Sequence, residues 1–435
     1  MTNGNPGSRN GRRVAIVDGL RTPFMKAGTA FRDLSALELG AVCVNELIER
    51  APMSPDTVDQ VVFGAVIPDL TGPNIGREIA SRVNLPHSVD AYSVSRACAT
   101  STQSIVSGTQ AILTGDADVV IAGGVESMSR PPVLYRDAVV DALMAFSAAK
   151  DVSGKARALA SVRPKDLAPN PPALEDKSSG LTMGQAAEKM ARENGISREE
   201  QDAYAFESHL KAVEAWEKGV FDDEVMALAI PPAFSETATT DGIPRADTSL
   251  DKLASLKPAF DRKYGTVTAG NASPLTDGAA AVILMEEAHA ARLGIEPRAF
   301  VRSWAFEGLD ASWQMLMGPA FATPVALERT GMTLEDIDVI DMHEAFASQM
   351  LSNIQAFGSV EWAKKHLGRE TAIGEIDRDK LNLYGGSISL GHPFGATGAR
   401  QAMTMANELV RRDTGTALIT QCAAGGLGAA LILER

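Results

Sequence analysis

The sequence predicts an α/β fold made of two similar halves, with a further segment inserted into the chain. Short apolar runs alternate with stretches of helical periodicity, the pattern of βαβ units. A stretch from Glu38 to Val66 is echoed by one from Pro319 to Phe346, each giving a helix, a linker and a buried strand. Coincidental α/β alternation is the competing explanation. We expect two related halves with an active site between them.

Local patterns place the main elements of these halves. A helical face over 36–50 and a helix over 324–330 are predicted, the latter with Thr323 as N-cap, Pro324 in its first turn and Gly331 just beyond its end. Seven apolar runs predict buried strands. They are VAIVD (14–18), VVFGAVI (61–67), DVVIAGG (118–124), AVILM (281–285), IDVID (337–341), TALIT (416–420) and AALIL (429–433).

Residues 128–258 interrupt the alternation and are richer in charge and helix signals. One helix begins at a capping box of Ser197 and Glu200 and stops at Gly219. Residues 133–163 mix apolar and charged side chains, which indicates a helical hairpin for a partner or a membrane surface, or simply a solvated helical cover. Proline clusters at 169–172 and 231–232 predict loops.

Composition narrows the class of protein. The 435 residues are 45% hydrophobic and 22% charged, which is ordinary for a globular protein. A net charge of −14 disfavours nucleic acid, which needs a clustered positive field, but leaves room for one phosphorylated small molecule. No apolar run reaches the ~18 residues of a membrane span. The polar residues 1–12 predict a flexible tail rather than a targeting segment.

Cysteine usage points to a reducing compartment. Cys43, Cys98 and Cys422 are the only cysteines, too few for a disulfide framework, and without a CxxC or Cys/His cluster the sequence predicts no metal site. We expect a cytoplasmic protein of bacterial type, in preference to one of the mitochondrial matrix. Cys43 lies on an apolar helical face and is predicted to be core.

Four motifs carry residues capable of chemistry. Cys98 in SRACATS precedes a helix, whose dipole is expected to lower the thiol pKa. His392 lies in GGSISLGHPFGATGAR among five glycines between 385 and 398, Cys422 in TQCAAGGLG, and His343 in DMHEAFASQ. Each residue also has a purely structural explanation. Cys98 would be an apolar filler, His392 part of a glycine-rich turn, Cys422 a packed strand end and His343 a core histidine.

Together the motifs resemble the thiolase family. SRACATS, HEAFA, GHPFGATG and CAAGGLG occur in that order, with RTPF at 21–24 and TVTAGNASPLTDGAAAVILM at 266–285, so the resemblance covers nearly the whole chain. It implies a five-layer αβαβα fold, dimers or dimers of dimers, and an inserted loop domain covering CoA. The implied units are an N-terminal half (13–127 and 259–287), the loop domain (128–258) and a C-terminal half (288–435).

The resemblance also implies roles for the residues. Cys98 would be the nucleophile that carries the acyl group, and His392 would take its proton. Cys422 would be the general acid at carbon. His392 and a water held by His343 would stabilise the enolate oxygen, and the backbone N–H groups of Cys98 and Ala424 would form a second oxyanion hole.

CoA would be a substrate, with no tightly bound cofactor. By resemblance, Met183, Gly184, Ser273, Ala345 and Phe346 would contact it, although Met183 and Phe346 are also typical core residues. The residues that hold the adenine and the 3′-phosphate are not indicated by the sequence.

Two departures refine the expected activity. His343 replaces the Asn of many thiolases, and Thr182 stands where short-chain members usually carry His. Both resemble thiolase subunits of fatty-acid β-oxidation complexes, which implies cleavage of medium or long 3-ketoacyl-CoA chains and a partner with hydratase and dehydrogenase activities. The alternatives are a biosynthetic acetyl-CoA acetyltransferase, a ketoacyl synthase, against which Cys422 argues, and a non-catalytic lipid-binding relative.

Overall fold

The computed structural model describes residues 7–9, 11–168 and 175–435 and has the predicted α/β class. Its strands are β1 (Ser8–Arg9), β2 (Arg12–Arg21), β3 (Met25–Lys26), β4 (Gln60–Gly64), β5 (Asp90–Val94), β6 (Val119–Glu126), β7 (Glu175–Asp176), β8 (Leu181–Thr182), β9 (Leu228–Ala229), β10 (Thr237–Ala238), β11 (Thr276–Glu286), β12 (Ala299–Gly308), β13 (Val339–Met342), β14 (Thr416–Ala423) and β15 (Leu427–Glu434). Its α-helices are α1 (Ala36–Arg50), α2 (Ile75–Ala80), α3 (Thr100–Thr114), α4 (Asp137–Ala148), α5 (Val152–Ala160), α6 (Met183–Glu193), α7 (Arg198–Glu217), α8 (Leu250–Ala254), α9 (Glu287–Leu293), α10 (Gly318–Glu328), α11 (Ala347–Gly358), α12 (Val360–Leu367), α13 (Ser387–Leu390) and α14 (Thr397–Arg412).

The central strands repeat one order in the two halves. The N-terminal half runs β5-β4-β6-β11-β2, and the C-terminal half runs β13-β14-β15-β12. Leu381, bridged in parallel to Ile340, takes the place beside β13 that β5 takes beside β4. The halves meet where β2 pairs with β12 through only two residue pairs. This shared order agrees with the repeat seen in the sequence.

Helices cover both faces of each half of the sheet. The middle layer is α3 and α14, which contact each other and strands of the sheet, with apolar side chains of both helices in one shared core. On the outer faces α1 and α2 cover the N-terminal half, and α10 and α11 cover the C-terminal half. The order helix, sheet, helix, sheet, helix confirms the predicted five layers.

The helix predicted over 324–330 begins earlier than expected. It is α10, with Pro319 in its first turn and Pro324 inside it. Thr323 is not its N-cap, because its hydroxyl lies 3.1 Å from the Thr420 hydroxyl of the neighbouring strand β14. The packing of α10 against the sheet therefore decides where this helix begins, and the proline at position 324 does not.

Part of the predicted flexible tail is paired. Ser8–Arg9 forms an antiparallel ladder with Arg12 and Arg13, whereas residues 1–6 and 10 lie outside the described residues. The proline cluster predicted as a loop at 169–172 also lies outside them. Cys43 is buried, as predicted, with its thiol 3.4 Å from the Leu20 carbonyl oxygen.

The segment inserted between the sheet strands is tied to the sheet by a buried ion network. Arg21, fully buried at the end of β2, donates to Glu224 at 3.1 Å and to both oxygens of Asp241 at 2.7 and 3.0 Å. Paired buried charges of this kind hold elements in place, because separating them leaves an unpaired charge in the interior. The capping box at Ser197 and Glu200 is present at the start of α7. The boundaries of the loop domain stay a prediction.

Helices α4 and α5 form the hairpin predicted within 133–163. Exposed apolar side chains lie among exposed charged ones on the hairpin and in the residues just before it: Val133, Tyr135, Leu143, Met144, Val152 and Leu159. No helix of the described residues is long and apolar enough to cross a membrane.

The middle helices touch where both begin. Gly398, in the first turn of α14, faces the first turn of α3, and an added Cβ would lie 2.6 Å from the Thr102 nitrogen. Beside it, the Ala399 N–H donates to the Ser101 hydroxyl at 2.9 Å. The N-terminal ends of the two helices are therefore held in backbone contact.

We expect Gly398→Ala to destabilise the protein by about 1–3 kcal/mol, because the methyl group overfills this contact. Urea unfolding measures the change. Gly308→Ala is the matched control, since a Cβ there meets nothing within 4 Å. Equal stability of the two variants would contradict the close-contact argument.

Candidate active site

Cys98 lies in a tight turn between β5 and α3. Ala97 before it adopts a left-handed backbone with φ of 44°, which is uncommon for a residue other than glycine. Thr100 holds this turn: its hydroxyl donates to the Ala97 carbonyl at 2.7 Å and accepts from the Arg96 N–H at 2.8 Å. The sharp turn leaves Cys98 partly exposed at the start of the helix.

The Cys98 thiol is not acidified as the helix dipole predicted. Burial raises its pKa to about 11, and hydrogen bonds from the Ala424 and Cys98 N–H groups offset only part of that effect. A dipole contributes only ~0.3–1 kcal/mol at a helix end. The resting group is therefore a thiol that needs a base, and the two N–H groups of the predicted second oxyanion hole lie beside its sulfur.

The His392 ring is held in one orientation by a hydroxyl. Its Nδ1 lies 2.6 Å from the Thr397 hydroxyl, which itself donates to the Pro393 carbonyl at 3.1 Å. Since one hydroxyl has one proton, Nδ1 is the donor to Thr397 and Nε2 carries the lone pair. Nε2 has no hydrogen-bond partner, and burial lowers the ring's pKa to about 3, so the imidazole is neutral.

His343 follows β13 and lies next to His392, with ring centroids 4.1 Å apart. Its Nδ1 is 2.7 Å from the Ser387 hydroxyl, and its buried Nε2 has no hydrogen-bond partner. Burial lowers the pKa of His343 well below the usual value, and the neighbouring His392 lowers it further. One nitrogen of each ring and the Cys98 sulfur lie within 4.8 Å of one another.

Cys422 lies near the end of β14 and is buried. Burial raises its pKa well above the usual value, and the neighbouring Cys98 adds to the shift. The thiol keeps its proton at neutral pH, as a general acid requires. The structure thus brings together the four residues predicted as catalytic, although they come from both halves of the chain.

Comparison with known proteins agrees with this arrangement. The model of the thiolase N-terminal domain matches residues 14–288, and that of the thiolase C-terminal domain matches residues 295–435. The chain belongs to the thiolase family. Among full-length relatives of this thiolase are 3-ketoacyl-CoA thiolases of Photobacterium profundum, 48% identical over 98% of each chain, and Pseudoalteromonas translucida, 50% identical over 98% of this chain and 97% of the relative.

Solved structures share its fold. The acetyl-CoA acetyltransferase of Bacillus anthracis superimposes with a TM-score of 0.82, at 33% identity and over all of both chains. Human mitochondrial 3-ketoacyl-CoA thiolase in complex with CoA gives a TM-score of 0.81, at 32% identity and over 98% of both chains.

The residues predicted to contact CoA form one wall in this thiolase. The Ser273 N–H donates to the Ala345 carbonyl at 3.0 Å, and Phe346 is bridged to the residue before Ser273. Phe346 packs edge-on to Phe260, with ring centroids 6.0 Å apart, and a Cβ on Gly184 would overlap the same Phe260 ring. Met183 begins α6 beside Gly184. Phe260 had no motif signal in the sequence.

Two buried carboxylates that sequence reasoning missed support the catalytic loops. Glu344 accepts hydrogen bonds from Tyr204, Ser208, Asn382 and the Ile388 N–H, and so ties α7 to the residue after His343. Glu344 itself precedes α11, which begins at Ala347.

The second carboxylate is Glu126 at the end of β6. It accepts from the N–H groups of Val66, Ile67 and Gly395, each at 3.0 Å, and so fixes the loop that carries His392. Burial raises its pKa to about 7. Its position at the end of a buried strand, in GGVES, was the available signal.

We expect Thr397→Val to lower kcat about 5- to 10-fold with little change in the KM for CoA, because it removes one hydrogen bond that sets the tautomer of His392. Steady-state kinetics with both substrates measures the split. Thr114→Val, at the exposed end of α3, is the control. A rise in the KM for CoA of similar size, without loss of kcat, would contradict a positioning role for Thr397.

Proposed function

We propose that this thiolase cleaves 3-ketoacyl-CoA with free CoA, giving acetyl-CoA and an acyl-CoA two carbons shorter. The observation that carries the proposal is the meeting of the partly exposed Cys98 with the buried His343, His392 and Cys422 in one site. It is supported by bacterial 3-ketoacyl-CoA thiolases that are similar over 98% of the chain.

The first half-reaction forms an acyl-enzyme. His392 Nε2, which has a free lone pair, takes the thiol proton of Cys98. The thiolate attacks the 3-keto carbon, and the N–H groups of Cys98 and Ala424 stabilise the resulting oxyanion. The carbon–carbon bond then breaks, which leaves the acyl group on Cys98 and the enolate of acetyl-CoA.

The enolate is a poor leaving group unless its negative charge is stabilised and its carbon is protonated. In the proposal, protonated His392 and a water held by His343 Nε2 stabilise the enolate oxygen. Cys422 donates its proton to the carbon, which suits a buried thiol whose pKa is raised. CoA gives its thiol proton to the Cys422 thiolate and attacks the acyl group on Cys98. The released Cys98 thiolate takes back the proton from His392, which completes the ping-pong cycle.

A biosynthetic acetyl-CoA acetyltransferase is the second candidate, supported by the similarity to the Bacillus anthracis acetyltransferase. It would use the same four residues in the reverse direction. His343 and Thr182 favour the degradative role, as do relatives named 3-ketoacyl-CoA thiolase.

The proposal includes the setting of the enzyme. We place it in β-oxidation in the bacterial cytoplasm, as a homodimer or homotetramer, with a hydratase/dehydrogenase subunit as a possible partner of the complex and no tightly bound cofactor. The bacterial sources of the full-length relatives support this setting. The exposed apolar side chains of the α4–α5 hairpin, which lie among charged ones, are compatible with a partner.

We expect purified protein to release acetyl-CoA and a chain shortened by two carbons from a series of 3-ketoacyl-CoA substrates, read by mass spectrometry. Faster turnover of medium or long chains would support a role in β-oxidation, because contacts of the enzyme with the longer acyl chain then contribute to the reaction. Activity confined to acetoacetyl-CoA would favour the acetyltransferase. Absence of product from every chain length would overturn the proposal.

We expect Cys98→Ala to abolish acyl-enzyme formation, because no other thiol is placed beside the oxyanion N–H groups. Intact-protein mass spectrometry after incubation with acyl-CoA measures the adduct. Cys43→Ala, which removes a thiol from the core, should still be acylated. If the Cys98→Ala variant still formed the adduct in unchanged yield, the role of Cys98 as the nucleophile would be refuted.

We expect Cys422→Ser to retain acylation by acyl-CoA but to slow carbon–carbon cleavage at least about 100-fold, the usual contribution of a general acid. Acylation and thiolysis are measured on the same preparation. Normal thiolysis by the variant would exclude Cys422 as the acid.

A further inference from the structure

The site contains three donor atoms of the kind that bind soft metal ions. The Cys98 sulfur and one nitrogen each of His343 and His392 lie within 4.8 Å of one another. Within the described residues this is the one group of three or more His, Cys or carboxylate side chains with that geometry. The three residues are far apart in the sequence, so no ligand spacing indicated the group.

The two rings are free at the same nitrogen. The Nδ1 atoms are engaged by Ser387 at 2.7 Å and by Thr397 at 2.6 Å, which leaves Nε2 as the free donor of each ring. Both Nε2 atoms are buried without a hydrogen-bond partner. A histidine fixed through one nitrogen and open at the other is the usual arrangement of a metal-ligating imidazole.

The donor set suits zinc rather than a hard cation. One thiolate and two imidazoles give three protein ligands and leave a fourth position for water, as in catalytic zinc sites. Magnesium and calcium require oxygen ligands, and the group supplies none. Cys98 is partly exposed, whereas His343 and His392 are buried.

We propose that Zn²⁺ binds reversibly to Cys98, His343 and His392 in the substrate-free enzyme and inhibits it. Binding displaces the thiol proton to solvent and forms one Zn–S and two Zn–N bonds, with no change of oxidation state. The sulfur lone pair and the His392 Nε2 lone pair are then unavailable for attack and for proton transfer. His343 is decisive, because it supplies the third ligand. The inhibition rests on the proposed function, whereas the binding does not.

The experiment titrates Zn²⁺ into EDTA-treated, dialysed full-length protein without substrate, by competition with a chromophoric chelator. We expect one ion per chain. His343→Asn and Cys98→Ala should each weaken binding at least about tenfold, and Ser387→Ala should weaken it about tenfold by freeing the His343 ring. His87→Asn is the control for His343→Asn, since His87 is exposed, and its affinity should equal that of wild type.

Co²⁺ supplies a readout that does not depend on the variants. With wild-type protein it should give a sulfur-to-cobalt charge-transfer band in the near ultraviolet, and alkylation of Cys98 with iodoacetamide should remove the band. The circular dichroism of each variant shows whether it is folded before its affinity is compared.

The outcomes separate binding from function. Zn²⁺ binding that weakens in His343→Asn but not in His87→Asn, with loss of thiolysis that EDTA restores, supports the proposal in full. Zinc binding by a protein without thiolase activity would contradict the proposed function and leave the metal site standing. Absence of binding, binding equal in wild type and His343→Asn, or thiolysis unaffected by saturating Zn²⁺ would overturn the inhibitory site.

Discussion

The backbone contact between the starts of α3 and α14 is the constraint on which the active site depends. Cys98 lies two residues before the start of α3, and His392 lies in the loop that leads into α14. Gly398 permits the helix ends to touch, and a Cβ on Gly124 would overlap the carbonyl oxygen of Gly395 in the His392 loop. Because equivalent elements of the two halves meet here, a thiol from one half and an imidazole from the other lie in one site.

Burial determines the electrostatics of that site. It raises the pKa of both Cys98 and Cys422 and lowers the pKa of both histidines, so all four groups are neutral in the resting site. The charge of a thiolate is therefore formed only when a proton is transferred, with the N–H groups of Cys98 and Ala424 in place to receive the negative charge. Burial also explains why the helix dipole does not set the Cys98 pKa.

Hydroxyl and carboxylate groups behind the catalytic residues hold their orientation. Ser387 and Thr397 fix the two rings through Nδ1, and Glu126 fixes the loop that carries His392. Preorganisation of this kind favours a transition state, because the donors are already aimed before the reaction. The same fixed nitrogens, beside a thiol, form the ligand set proposed for zinc.

The sequence by itself determined the fold class and the two halves, because apolar periodicity is a local property, and it determined the four catalytic candidates through the resemblance of their motifs to the thiolase family. The tertiary structure alone decided the pKa of Cys98, the tautomer of His392, and the roles of Glu126, Phe260 and Ser387. These depend on burial and on contacts between residues distant in the chain. The start of α10 was misplaced for the same reason, since Thr323 bonds a neighbouring strand instead of capping the helix.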